Sequence, residues 1–406
     1  MPNVNPIRLV KLLLQAGLVS ATALGAEDWN TWLGPQEDNT VHSRRGFEAD
    51  LEKWNVSWSA NVGRGYSAIT TFGNRAYTNG HDEASNETIV CLDLRSGKTV
   101  WEHSLEAELM PRAHGGGPNA SIVIEAGRLY AISKDGQLRC LDPETGKLIW
   151  NQDLRELLEI EVPTWGFGAS PVLFGDHLIV SAGKVAAIDK TNGDPVWISE
   201  SDRRASYGTP VPFHLGPETY FASMDGSGFA ILSANGREIT RKRMVTKNNV
   251  VSNTPLVFEN GKRIFIHTNA FSEVLTFNGE GLELIWNDRK LQNSQSAAVI
   301  VDNVLHGLNG LPENGRTKLY SRNPTTGETY WSTPNFGFGS LIAVDDTLLI
   351  LTDDGELVTA IAAPDAYREV SRKKILEPTC WTKPIFANER ILVRNDAGQV
   401  VCLARD

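Results

Sequence analysis

Three segments of this chain align residue for residue, and that self-similarity restricts the fold more than any other feature. Ile89 to Trp101 reads IVCLDLRSGKTVW, Leu138 to Trp150 reads LRCLDPETGKLIW, and Val185 to Trp197 reads VAAIDKTNGDPVW. Tyr320 to Trp331 (YSRNPTTGETYW) repeats the pattern with Asn323 in the Asp position, and Leu275 to Trp286 repeats it with one extra turn residue. A copy is an apolar strand, an Asp, a polar turn with Gly, and a second strand carrying Trp. Gly97, Gly146, Gly193 and Gly327 permit the positive φ of a tight turn, and Asp93, Asp142 and Asp189 cap that turn through their side-chain oxygens. The tryptophans Trp101, Trp150, Trp197, Trp286 and Trp331 set a large apolar surface at fixed register on an outer strand, where a neighbouring unit can cover it. Such a unit cannot bury its own apolar face, so copies must stack.

Two further strands lie upstream of each turn, joined by a second polar turn such as Lys134-Asp135-Gly136 or Asp353-Asp354-Gly355. Short inner strands begin near Ser67, Ser121, Ser170, Thr209, Thr254, Ala297, Ser340 and Lys383, which makes eight units. The last, Thr382 to Asp406, supplies only three strands, whereas Trp54 to Val62 (WNVSWSANV) is an orphan outer strand with Trp58 in the docking position. Pairing the orphan with the final unit leaves no exposed edge. The expected fold is therefore all-β: an eight-bladed β-propeller of four-stranded antiparallel blades, closed by the N-terminal strand pairing with the C-terminal blade. Weaker inter-blade contacts are expected at the fourth unit, with Thr240 in place of Trp, and at the seventh, where residues 362–374 replace the turn and leave the docking residue undefined.

Residues 1–25 read as a secretory signal, with Arg8 and Lys11 before an apolar run and small residues at its end. Residues 26–53 follow as an N-terminal extension packing on the propeller, which occupies 54–406. The first cysteine is Cys91, so no lipid anchor is expected, and no later apolar run is long enough to cross a bilayer. The location implied is periplasmic or extracellular. Loss of the two signal cations takes the net charge from −10 to −12, which opposes nucleic-acid binding. Cys91, Cys140 and Cys402 share a Cys-Leu context late in a repeat and read as buried small hydrophobes; the disulfide state of these three and of Cys380 stays open.

The Asp, Thr-Gly-Lys, Trp pattern resembles the PQQ-type repeat, and the resemblance extends over residues 54–406. Trp29-x-x-Trp32-Leu-Gly-Pro, the Trp165-Gly-Phe-Gly-Ala-Ser-Pro stretch and Cys380-Trp381-Thr are similar to exported PQQ-binding-like propellers of the BamB-like family, after the outer-membrane assembly subunit. The resemblance implies eight blades and an envelope protein. PQQ-dependent dehydrogenases share the repeat, but the adjacent cysteine pair and the haem-binding Cys-x-x-Cys-His that members carry have no counterpart here. The expected cofactors are thus none; PQQ and calcium are possible for such a scaffold but unsupported by the site residues, and no metal or catalytic residue is assigned.

Loops entering the inner strands of a propeller converge on one face. Here they carry Tyr66, Arg112, His114, Trp165, Phe167, Tyr207, Asn248, Asn249, Asn293, Phe336, Phe338 and Trp381. Aromatic rings with a few amides and cations suit a ligand or partner site; the alternative is that they plug the channel. The glycine run after His114 lacks the strand and helix of a phosphate cradle. The expectation is a non-catalytic envelope scaffold, monomeric, engaging a protein, peptide or glycan through this face. The alternative is a PQQ- and calcium-dependent oxidoreductase acting on an alcohol or sugar.

Overall fold

In a computed structural model, residues 27–405 are described, apart from 113, 126, 201–203, 294 and 312–316. Residues 1–25, expected to be a secretory signal, lie outside the described residues.

The inner strands are Thr70–Phe72, Val123–Glu125, Val172–Phe174, Val211–Leu215, Leu256–Phe258, Val299–Val301, Gly339–Val344 and Ile385–Ala387. Each opens a sheet of four antiparallel strands, giving eight blades, numbered 1 to 8 in that order. Blade 7 gains a fifth strand, Thr40–Val41, which runs parallel to its inner strand. In blade 8 the outer position is filled by Asn55–Asn61, which pairs antiparallel with Gln399–Ala404 and sets Trp58 opposite Cys402. The ring closes as the unpaired ends of the sequence require.

Adjacent blades are joined by the repeat residues themselves. The indole N–H of Trp58 donates to Leu94 O at 2.9 Å, that of Trp101 to Pro143 O at 2.9 Å, and that of Trp150 to Lys190 O at 3.3 Å. Trp286 donates to Pro324 O and Trp331 to Ala363 O in the same way. Each acceptor lies in the next blade's turn, and the Trp58, Trp101, Trp150, Trp197 and Trp286 rings rest on Gly97, Gly146, Gly193, Gly236 and Gly327. The turn glycine is thus needed twice, for its φ and for the space over it. Cys91 and Cys140 stand opposite Trp101 and Trp150, and all four cysteines are free and buried. Nearer the axis, hydroxyls link inner strands: Ser121 Oγ accepts from Ala68 N, Ser170 Oγ from Ser121 N, and Thr209 Oγ1 from Ser170 N.

The fourth and seventh units carry polar residues where the other units carry Trp. Thr240 stands opposite Ile231, and Ser371, on the strand Glu369–Lys374, stands opposite Thr359, so both occupy the Trp position. Their strands share a sequence, Arg237-Glu-Ile-Thr-Arg-Lys-Arg243 and Arg368-Glu-Val-Ser-Arg-Lys-Lys374. Arg241 pairs with Asp225 at 2.6 Å and Arg372 with Glu356 at 2.6 Å. Lys242 reaches Glu273 of blade 5 at 3.0 Å. Lys373 reaches the carbonyls of Leu51 and Trp54, whose indole packs on Phe47 and Phe386. Ion pairs, Phe277 beside Tyr220 at 5.0 Å, and the N-terminal residues take the place of the missing indoles.

Residues 27–41 cross the channel at one end. Trp29, fully buried, exchanges backbone and hydroxyl bonds with Thr71 of blade 1; Asn30 pairs with Ile124 of blade 2; the Trp32 indole donates to Thr254 before blade 5. Lys383 donates to Trp32 O and to Asn39 Oδ1 at 2.6 Å, with its ammonium 3.8 Å from the Trp32 ring centroid. Asp28 accepts from Gly73 N in the first turn of blade 1, which places this end opposite the entering loops.

Candidate functional site

Alternation of strand direction brings two sets of connections to the other face: the loops entering each inner strand and the turn between each blade's second and third strands. The entering loops of blades 7, 8, 1 and 2 bring aromatic rings into a chain. Phe338 lies 6.4 Å from Trp381, Trp381 5.7 Å from Tyr66, and Tyr66 4.9 Å from His114. A second pair follows, Trp165 and Tyr207 at 5.7 Å, with Asn119 holding the Trp165 carbonyl at 2.9 Å. Trp381, Tyr66, His114, Trp165 and Tyr207 are all half-buried.

Polar groups set the rings. Tyr66 Oη accepts from Gly115 N at 3.2 Å and lies 3.4 Å from Asp396 Oδ2; burial, then the Asp396 charge, push its phenol up to about 12. Arg64 bridges Asp396 at 3.4 Å and Glu83 at 3.3 Å. His114 Nδ1 accepts from Gly116 N at 3.1 Å, which puts the ring hydrogen on Nε2, and burial followed by the charge of Lys134 holds the imidazole down at about 4. His114 is neutral at physiological pH.

The remaining candidates do not join the arc. Phe167 is buried against Gly136 between blades 2 and 3. Phe336 packs on Tyr367 with Arg372 over its ring. Asn293 is buried and spends its side chain on Leu308 O, Gln295 N and Ser296 N. Arg112, Asn248 and Asn249 are exposed, the two asparagines with left-handed φ of 60° and 53°. Conversely, Arg64, Lys134 and Asp396 belong to the mouth although sequence reading did not single them out. Lys134 and Asp396 sit in the turns between second and third strands, and a charged residue at that turn is the signal that pointed to them. Among the described residues no three His, Cys, Asp or Glu side chains are grouped to hold a metal ion.

Residues 85–333 match the family model described as outer membrane protein assembly factor BamB. The chain is similar to that assembly factor from Pseudomonas aeruginosa, 21% identical over 44% of this chain and 46% of the relative. It is also similar to a 1-butanol dehydrogenase (cytochrome c) from Thauera butanivorans, 31% identical over 23% of this chain and 13% of that enzyme. The aligned part thus spans less than half of these relatives. Among solved structures, a quinohemoprotein alcohol dehydrogenase from Comamonas testosteroni superposes with a TM-score of 0.75 at 13% identity, covering 94% of this chain and 81% of the other. BamB from Moraxella catarrhalis superposes with a TM-score of 0.63 at 14% identity, covering 86% and 99%. The propeller is thus common to both groups, and the sequence match over residues 85–333 takes in more than half of the chain, which belongs to the BamB family of PQQ-repeat β-propellers.

Proposed function

We propose that this chain is an exported, non-catalytic scaffold of the cell envelope that engages a protein, peptide or glycan through the loop face. The observation that carries the reading is the half-buried aromatic arc of Trp381, Tyr66 and His114, backed by the buried Phe338 and continued by Trp165 and Tyr207. Contacting aromatic rings, with donors at their rims, suit a large amphipathic surface more than a reacting centre. Similarity to outer-membrane assembly factors supports a protein partner, and among the described residues no helix is long and apolar enough to cross a membrane. The test is capture of envelope partners by immobilised protein. Trp165→Ala with Trp381→Ala is expected to lower capture at least tenfold with the melting transition intact; unchanged capture would refute the reading.

The second reading, a PQQ- and calcium-dependent oxidoreductase, is favoured by the fold shared with the Comamonas enzyme. Against it, no three His, Cys, Asp or Glu side chains are grouped among the described residues, and no two cysteines are adjacent. Titration with PQQ and calcium, followed by the cofactor's absorbance, is expected to give no saturable shift.

A further inference from the structure

Lys134 turns back from the second strand of blade 2 and is fully buried, yet its ammonium has no hydrogen-bond partner. Its neighbours hold its backbone and stem. Its N–H donates to Glu87 Oε2 at 2.9 Å, its carbonyl accepts from Phe167 N at 2.9 Å, and Gly166 lies so close that a Cβ there would meet Lys134 Cγ at 2.7 Å. A buried ammonium without a hydrogen-bond acceptor is unfavourable, and a framework that fixes the stem this firmly keeps it in place.

Burial pushes the Lys134 ammonium down to about 8, and the Glu87 charge opposes that shift without giving the ammonium a hydrogen bond. Burial likewise pushes the Glu87 carboxyl up to about 8. Asp396 is engaged by Arg64, Tyr66 and Thr379 N, and Glu83 by Arg64. His114, which faces the Lys134 charge, is neutral and offers a hydrogen on Nε2. One ring further along, the buried Trp381 Nε1 is a second donor without a partner. Lys134 Nζ and Trp381 Nε1 are thus unmet donors beside the aromatic arc, whereas the unmet side-chain acceptors Asn253 Oδ1 and Gln295 Oε1 lie on the loops entering blades 5 and 6.

We infer that Lys134 is the anchor of a carboxylate subsite, and that the partner bound by the loop face places an acidic side chain of an extended segment against it, beside an aromatic residue that packs on the arc. The inference rests on the loop face being the binding surface. His114, on which the Lys134 charge acts, is half-buried and precedes Gly115-Gly116-Gly117, two of them at φ +84°.

Isothermal titration with Ac-Phe-Asp-NH2, Ac-Phe-Asn-NH2 and sodium succinate, against wild type and Lys134→Met, tests it. The aspartyl peptide is expected to bind wild type at least tenfold tighter than the asparaginyl one, and Lys134→Met, which removes a buried charge and should melt no lower, is expected to erase that ratio. Succinate binding that Lys134→Met abolishes would support the carboxylate site while assigning its source to a free acid. Equal binding of the two peptides to wild type overturns the inference whether or not the variant folds. So does a PQQ absorbance shift lost in Lys134→Met, because the lysine then serves a cofactor. Loss of partner capture in the Trp165 and Trp381 variant, with no peptide preference, would leave the scaffold reading standing and remove this one alone.

Discussion

Gly97 holds φ at +68°, and a Cβ there would lie 2.5 Å from the Trp58 ring. Trp58 is 7% exposed, so truncating it to alanine removes an almost fully buried indole and is expected to cost about 3–5 kcal/mol. Gly97→Ala carries a left-handed backbone penalty of about 1–2 kcal/mol together with displacement of the ring. Once the indole is gone only the backbone penalty remains, so the double variant should be at least about 1 kcal/mol more stable than the summed single effects. Urea denaturation of the four proteins of this cycle measures the difference, and strict additivity would mean that ring and glycine do not bear on each other. The pairing explains why Gly and Trp recur together: the Trp at the end of one copy needs the Gly of the next. That dependence can be read from the sequence, because both residues stand at constant register in segments that align without gaps.

At the level of the strand, blades 4 and 7 reach the same end by charge. Arg241 and Asp225 are 12% and 6% exposed in their side chains, so Arg241→Met strands a buried carboxylate and is expected to cost about 3 kcal/mol. The equivalent Arg372 and Glu356, at 30% and 38%, are screened by solvent, and Arg372→Met is expected to cost about 1 kcal/mol or less. Chemical denaturation of the two variants should separate them, and equal losses would show that burial is not what distinguishes the pairs. The sequence reading recognised Thr240 as a missing Trp but left the seventh blade's docking residue undefined, because its turn spans no Gly to count from. The shared Arg-Glu-(Ile/Val)-(Thr/Ser)-Arg-Lys stretch located Ser371 all along, through a motif other than the one sought. The loop face was legible for a related reason and to a similar extent. Alternating strand direction sends every entering loop to one side, so its aromatics could be listed. Which of them touch depends on how far each loop dips: Phe167 and Asn293 sink into the framework, whereas Tyr66, His114 and Trp381 meet. Lys134 was passed over because its turn was read only as a turn.

For the ring as a whole, two N-terminal segments act at different places. Residues 27–41 cross the channel end and touch blades 1, 2, 7 and 8 through hydrogen bonds, while Asn55–Asn61 completes blade 8. Arg394 secures the seam, its buried guanidinium donating to Ser67 O, Thr78 Oγ1, Asn79 O and Gly63 O. Removing residues through 53 takes away the channel segment but leaves every blade with four strands, so a monomer with a lowered melting temperature is expected. Removing residues through 61 leaves the strand Gln399–Ala404 as an open edge lined by Val400, Val401 and Leu403, and an apolar, unpaired edge recruits another chain. That shorter protein is expected to dimerise or aggregate in light scattering, and a synthetic peptide of residues 54–62 should return it to a monomer by filling the vacant position. Should it stay monomeric without the peptide, with the melting temperature of the longer truncation, the Trp58 strand would not be what closes the ring, and the stability of the seam would have to come from Arg394 and its four acceptors.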